Sequence, residues 1–473
     1  MQHLGDAPGE ALELGGKLFN LERARPEYIF LFFAVLAGLT LLVMVTPFAG
    51  GNERMNYQRA VLIADGHVQI APAAMPGGIQ QMLELTDKLL PEGTEAPYRF
   101  TPEQGAQLRS IRLERERPAI VPPNAIAVLH PIAYLPQVPV MAAGMRLDLS
   151  PLTLFWLGRV AGLAVGVVLT FWAIRIAPRN RYLLAAVALM PQMLFSRTTL
   201  DADQLTNGVA FLFLSLLMRE LVEEGPMRAR RLVALAATAF VFAQAKSAYL
   251  LLPLLALAIP AERFASRRHR VFAMALIMLP GLIGSVAWML TLRNGYFAHA
   301  AYQTWSGVVV PDRQVQAVLS SPLGYVEVLL RTVFTTAFIP KAIFDFLGAF
   351  GPPVSVPLWF DLAIINLFVA LLVAEPQIAG GPLDRLPVRL AAGGLSLVSV
   401  VIILTLLYVQ WTRVGAPLID GFNGRYLYPL APLAVLMVRG KGEPLFRFSA
   451  AHWLCVAGVL SLGATLWVTA QTY

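Results

Sequence analysis

Long apolar runs separated by short polar connections dominate the chain. The first run, 28–49, precedes a stretch rich in proline and charge, 50–150. Further runs lie at 151–177, 182–198, 204–222, 231–245, 247–261 and 271–292. A mixed region covers 293–352, and the last runs are 353–374, 388–410, 424–438 and 448–470. A helix rises 1.5 Å per residue, so about 20 apolar residues cross the roughly 30 Å hydrocarbon core. The pattern predicts an all-α polytopic membrane protein, a bundle of about eleven transmembrane helices. Its parts are a cytoplasmic segment 1–27, a first crossing 28–49 and a large outer loop 50–150 with juxtamembrane helices. Crossings two to seven follow in 151–292, then an interfacial or re-entrant segment 293–352 and the C-terminal crossings in 353–473.

Composition agrees with this class and excludes others. Of 473 residues 57% are apolar and 14% charged, and mean hydropathy is +0.63. A soluble domain carries about 25% charged residues and needs a polar skin that this chain cannot supply. Soluble enzymes, disordered tails and disulfide frameworks are excluded. The single cysteine, Cys455, lies inside an apolar run. It has no intrachain disulfide partner, and no Cys/His metal spacing exists. The first run is too long for a cleavable signal peptide and no small-residue cleavage pattern follows it.

The net charge of +8 does not point to nucleic acid, because much of the excess sits in short connections where orientation signals belong. Lys17, Arg23 and Arg25 precede the first run and favour a cytoplasmic N-terminus. From there the inner connections hold Arg175, Arg179 and Arg181; Arg219, Arg228, Arg230 and Arg231; Arg263, Arg267, Arg268 and Arg270; Arg385 and Arg389; and Arg439, Lys441 and Arg447. This parity fits eleven crossings with the C-terminus outside. It requires that 322–345, with Arg331 and Lys341, does not cross alone.

Charges at span edges carry a functional expectation. Several fall on the outer side: Glu53 and Arg59 after the first run, Arg197, Asp201, Asp203 and Asn207 after the third, Lys246 after the fifth, and Arg413, Asp420, Arg425 and Tyr426 after the ninth. Carboxylates can take a proton from an attacking hydroxyl. Arg and Lys can hold a departing phosphate. The inventory suits group transfer from a phosphate leaving group carried on a lipid. Plainer roles compete. Asp203 could cap the fourth span, with Asp201 aiding the helix dipole. Lys246 could be a snorkelling turn residue, and Arg425 with Tyr426 an interfacial anchor. His130 reads better as a packed juxtamembrane residue than as a metal ligand, and Arg293 and His299 as loop residues.

At these residues the chain resembles a large family of bacterial predicted membrane proteins of unknown function, often grouped with polytopic C-type glycosyltransferases (the GT-C fold). In GNERMNYQRA, Glu53, Arg59 and Ala60 match the family's first outer loop, while Asn52 and Asn56 replace its Asp and His. HPIAYLPQ supplies Pro131, Tyr134, Leu135 and Pro136. After the LMPQ turn (Met190, Pro191, Gln192), LDADQLTN supplies Asp203, Thr206 and Asn207. Lys246 and Tyr249 form a Lys-x-x-Tyr match, and Gly424, Arg425, Tyr426 and Pro429 a Gly-Arg-Tyr-x-x-Pro match.

The resemblance implies a GT-C-like bundle with a periplasmic cap. It also implies an inverting glycosyltransferase that moves a sugar from a polyprenyl-phosphate carrier to a glycan or lipid acceptor. Glu53 would be the base, with Asp203 orienting the acceptor or a cation. Arg59, Lys246, Arg425 and Tyr426 would hold the lipid phosphate. Asp201, Asn207, Tyr134 and His130 are further site candidates. No metal ligand set is expected, although two carboxylate loops could hold a divalent cation. Rival readings are a lipid-linked saccharide transporter and a non-catalytic envelope-assembly subunit.

Overall fold

The computed structural model describes residues 24–68, 70–90, 98–297, 301–304, 307–335, 337–351, 354–375, 381–438 and 448–473. Most of the predicted segment 1–27, together with His299, Arg439, Lys441 and Arg447, lies outside the described residues. We number eight helices in chain order: α1 (Pro26–Met44), α2 (Glu53–Ala64), α3 (Pro151–Ile176), α4 (Asp203–Val222), α5 (Ala229–Ala245), α6 (Arg267–Leu292), α7 (Leu386–Gln410) and α8 (Ala450–Thr472). All but α2 and α5 are long and apolar enough to cross a membrane. Pro311–Ser320 and Pro322–Phe334 reach that length only together, and they are bent by 107°. The chain is therefore an all-α membrane protein, with six or seven helices of crossing length among the described residues. The strands among the described residues form three short antiparallel pairs.

Six or seven is fewer than the eleven crossings expected, and backbone continuity is the reason. The run 182–198 divides into Arg181–Ala188 and Pro191–Ser196. Proline has no amide hydrogen for the ladder and forces the preceding residue, here Met190 at ψ 143°, out of the helical region. The run 247–261 folds as 3-10 turns, Ser247–Tyr249 and Leu252–Ala258, the second beginning beside Pro253. The run 424–438 divides into Gly424–Leu427 and Ala431–Met437, with Pro429 and Pro432 at the division. The runs 231–245 and 353–374 form single helices of 17 residues, α5 and Leu358–Ala374.

Polar contacts sort the connections to two ends of the bundle. At one end Arg179 donates to Asp384 Oδ1 at 2.9 Å and to the Leu436 carbonyl at 2.8 Å, and Arg181 pairs with Glu27 at 2.8 Å. Arg263 pairs with Glu220, and Arg231 with Glu223. Val222 lies against Gly381, which joins these groups. At the other end the Tyr98 amide donates to the Thr472 carbonyl at 2.6 Å, and the Tyr57 hydroxyl donates to the Pro151 carbonyl at 2.7 Å.

A small helical layer built from 50–150 covers that second end. It has its own core, including Tyr57, Val61, Ile79, Met82 and Met141. A short strand pair, Ala73–Met75 against Ala119–Val121, ties it together. The bent pair Pro311–Ser320 and Pro322–Phe334 also lies towards this end: the Tyr325 hydroxyl is 2.6 Å from Thr405 Oγ1 on α7.

Candidate functional site

Three separated stretches bring charge together at the covered end. The first is the linker before α4. Its path is pinned by Gln204, whose Nε2 donates to the Arg197 and Thr199 carbonyls, both at 2.7 Å. Gln204 lies over Gly162 of α3, where a Cβ would come within 1.6 Å of its side-chain oxygen. The linker ends with Asp201 Oδ1 accepting from the Asp203 amide at 3.1 Å. Asp203 then opens α4, where the helix dipole favours a carboxylate.

Lys246 follows the last residue of α5, where the dipole favours a cation, and its Nζ is 2.7 Å from Asp203 Oδ1. Arg425 lies in the turn Gly424–Leu427, with the Asn423 side chain accepting from its amide at 2.9 Å. Its guanidinium is 3.4 Å from Asp201 Oδ2 and 3.9 Å from Asp203 Oδ2. Gly424 is required there, because a Cβ would come within 2.2 Å of the Phe346 backbone nitrogen. The Tyr426 ring lies beneath both cations, 4.6 Å from Lys246 Nζ and 5.4 Å from the Arg425 guanidinium.

A cavity of about 530 Å³ opens beside this cluster. Asp201, Asp203, Lys246 and Arg425 form its charged wall, while Trp288, Met289 and Leu292 of α6 face Leu406 and Leu407 of α7. Lys341 borders it too, paired with Asp345 on its own helix. Burial, with the Asp203 charge adding to it and Arg425 opposing, pushes the Asp201 carboxyl up to about 6. A charged group can thus exchange a proton near neutral pH.

The structure places Glu53, expected as the base, away from this cavity. Its carboxylate is fully enclosed and paired with Arg159 of α3 at 2.6 Å. It also accepts from the Leu200 amide at 2.6 Å and the Gly50 amide at 3.2 Å. The Glu53 segment borders a second cavity of about 860 Å³, but the carboxylate has no exposed surface. Its neighbour Asn56 borders the charged cavity, and Asn52 borders both. Glu53 therefore anchors the acidic linker through Leu200, and Asp201 and Asp203 are the carboxylates at the cavity.

Arg59 also lies off that cavity wall. It is buried, donates to the Val68 carbonyl at 3.1 Å and packs 6.0 Å from the Trp288 ring centre. Burial lowers its pKa. His130 does border the cavity. Its Nδ1 accepts from the Ile132 amide at 3.1 Å, and burial together with Arg59 lowers its pKa to about 4, so the ring is neutral. Tyr134 is fully buried, donating to Asn56 Oδ1 at 2.8 Å. Asn207 faces Met193 inside the bundle, and Arg197 donates to the Ala188 carbonyl at 2.6 Å. Among the described residues no group of three or more His, Cys, Asp or Glu side chains is arranged to hold a metal ion.

Sequence reasoning missed Arg159, Gln244 and Trp288. Arg159 was detectable as a lone cation inside an apolar run, which demands a partner. The two others carry no charge and look like ordinary span residues.

No curated protein and no solved structure matches the chain. A family model described as "Predicted membrane protein (DUF2142)" matches residues 32–434, a stretch that includes Asp201, Asp203, Lys246 and Arg425. The chain belongs to this family of predicted membrane proteins.

Proposed function

We propose that the chain is an inverting membrane glycosyltransferase of the C type. It moves a sugar from a polyprenyl-phosphate donor to an envelope glycan or lipid acceptor on the periplasmic side of the bacterial inner membrane. The observation that carries this reading is one cavity lined by two carboxylates, by the cations Lys246 and Arg425 paired with them, and by apolar residues of α6 and α7. Such a wall suits an amphiphile with a phosphate at its polar end.

In the reaction the acceptor oxygen attacks the anomeric carbon and the bond from that carbon to the phosphate oxygen breaks. The electron pair leaves with the phosphate, whose charge Lys246 and Arg425 offset. The acceptor's proton passes to Asp201, whose carboxyl titrates near neutral pH. Asp203 positions Lys246. The eleven runs are proposed to cross as eleven segments, several of them broken, with the basic end cytoplasmic.

Native mass spectrometry of gently extracted protein tests the donor class. A co-purifying polyprenyl phosphate or its glycosylated form is expected in the unaltered chain and lost in Arg425→Ala. Bulk phospholipid alone in both sinks the reading.

The transporter reading has an observation of its own: the segments bordering the cavity are interrupted helices, as at Pro191 and Pro429, and broken helices also form transporter sites. A transporter's cavity cysteines must become reachable from both membrane faces, whereas the transferase site is reached from one.

A further inference from the structure

Two glutamines at the charged cavity have carboxamide oxygens with no partner. Gln192, in the first turn of Pro191–Ser196, and Gln244, the penultimate residue of α5, are each 4% exposed and both border the cavity. Their Oε1 atoms are enclosed and accept no hydrogen bond among the described residues. Gln244 is held in a built socket. Its Nε2 donates to the Gly281 carbonyl at 2.8 Å, and because a carbonyl can only accept, the oxygen is turned away from that contact. The carboxamide lies across Gly284 of α6, where a Cβ would come within 2.7 Å of its nitrogen. Buried acceptors without donors are rare in folded proteins, because the lost hydration is not repaid. Two at one cavity mark where a ligand's donors belong.

We propose, resting on the donor reading above, that Gln192 and Gln244 recognise hydroxyl groups on the sugar of the lipid-linked donor, and that the cavity selects a neutral sugar over an acidic one. The charges support the selectivity. Lys246 and Arg425 already face Asp203 and Asp201, and the donor phosphate claims them next. A sugar carboxylate would meet carboxamide oxygens and carboxylates, and the remaining cation at the cavity, Lys341, is already paired with Asp345. Where a carboxylate replaces a donating hydroxyl, a buried acceptor is left unpaired and a like charge is added beside Asp201 and Asp203.

The test compares the affinity of the full-length protein in detergent for three probes: a short-chain polyprenyl phosphate, the same lipid bearing a neutral hexose, and the same lipid bearing a hexuronic acid. The hexose is expected to tighten binding, and the uronic acid to add nothing. Gln192→Leu and Gln244→Leu should each lose about tenfold on the hexosyl lipid, the order of one hydrogen bond, with affinity for the bare lipid phosphate unchanged. That unchanged affinity also reports that each variant is folded; Gln192→Asn and Gln244→Asn, which withdraw the carboxamide by one methylene, replace a variant that does not fold. A hexose that adds no affinity, an effect that survives both substitutions, or equal binding of the uronic acid overturns the inference. Failure of the donor reading looks different: the bare lipid phosphate then binds no better to the unaltered chain than to Arg425→Ala.

Discussion

Glu53 and Asp201 carry the same functional group in opposite surroundings. Glu53 has every neighbour it needs: a guanidinium and two amides. Removing its charge leaves Arg159 buried and unpaired, a change that costs about 3–5 kcal/mol. Glu53→Gln should therefore lower the thermal midpoint of the extracted protein sharply. A Glu53→Met, Arg159→Leu double variant should recover part of the loss; a midpoint as low as in the single variant would argue against the pair being the cause. The sequence marked Glu53 as unusual but not its role, because the partner is 106 residues away. Asp201 is the reverse case. Its carboxyl is held up to about 6 from an ordinary 3.8, so the folded chain keeps the proton more readily than the unfolded one. The stability this contributes is complete below the ordinary value and lost as pH rises through about 6. A base works only when ionised, so transfer should fall on the acid side of about pH 6. Asp201→Asn should remove transfer while retaining donor binding. Full transfer by that variant would exclude Asp201 as the base.

At the scale of elements, prolines and remote caps decide what hydropathy cannot. Pro191, Pro253, Pro429 and Pro432 stand in plain view in the sequence, yet a window averaged over 20 residues passes across them. The runs were legible; their interruption required reading each proline as a lost hydrogen bond. The short helix Arg181–Ala188 shows what such fragments need. Its first amides have no intrahelical acceptor, and Glu375, 193 residues away in sequence, accepts from Tyr182 N at 2.9 Å and Leu183 N at 3.0 Å. Burial pushes the Glu375 carboxyl up to about 7, against these amides and Arg181. Glu375→Ala should cost about 1–2 kcal/mol, the scale of a lost helix cap, measured as a lowered thermal midpoint. Glu375→Gln, which keeps an acceptor oxygen, should cost less. Equal losses in the two would mean that packing, and not capping, holds the fragment.

Across the whole molecule the two ends differ in kind. One gathers Arg179, Arg181, Arg231 and Arg263 with their acidic partners. The other bears the layer 50–150 and the charged cavity. Charge along the chain already separated these connections, because short loops retain the basic bias of their side. The cavity was legible only as a list of residues on one side; the distances that select Asp201, Asp203, Lys246 and Arg425 and set Glu53 apart arise from packing between segments far apart in sequence. If the basic end is cytoplasmic, single cysteines in a Cys455→Ser background report it directly. Ser110→Cys lies on the exposed layer and Arg230→Cys on the exposed basic end. A membrane-impermeant maleimide should label the first and spare the second in spheroplasts, where the outer membrane no longer blocks access. In inverted vesicles the order should reverse, because the cytoplasmic face is then outside. Labelling of Arg230→Cys alone in spheroplasts would invert the assignment, and would put the cavity on the cytoplasmic side, where soluble activated sugars and not lipid-linked ones are the available donors.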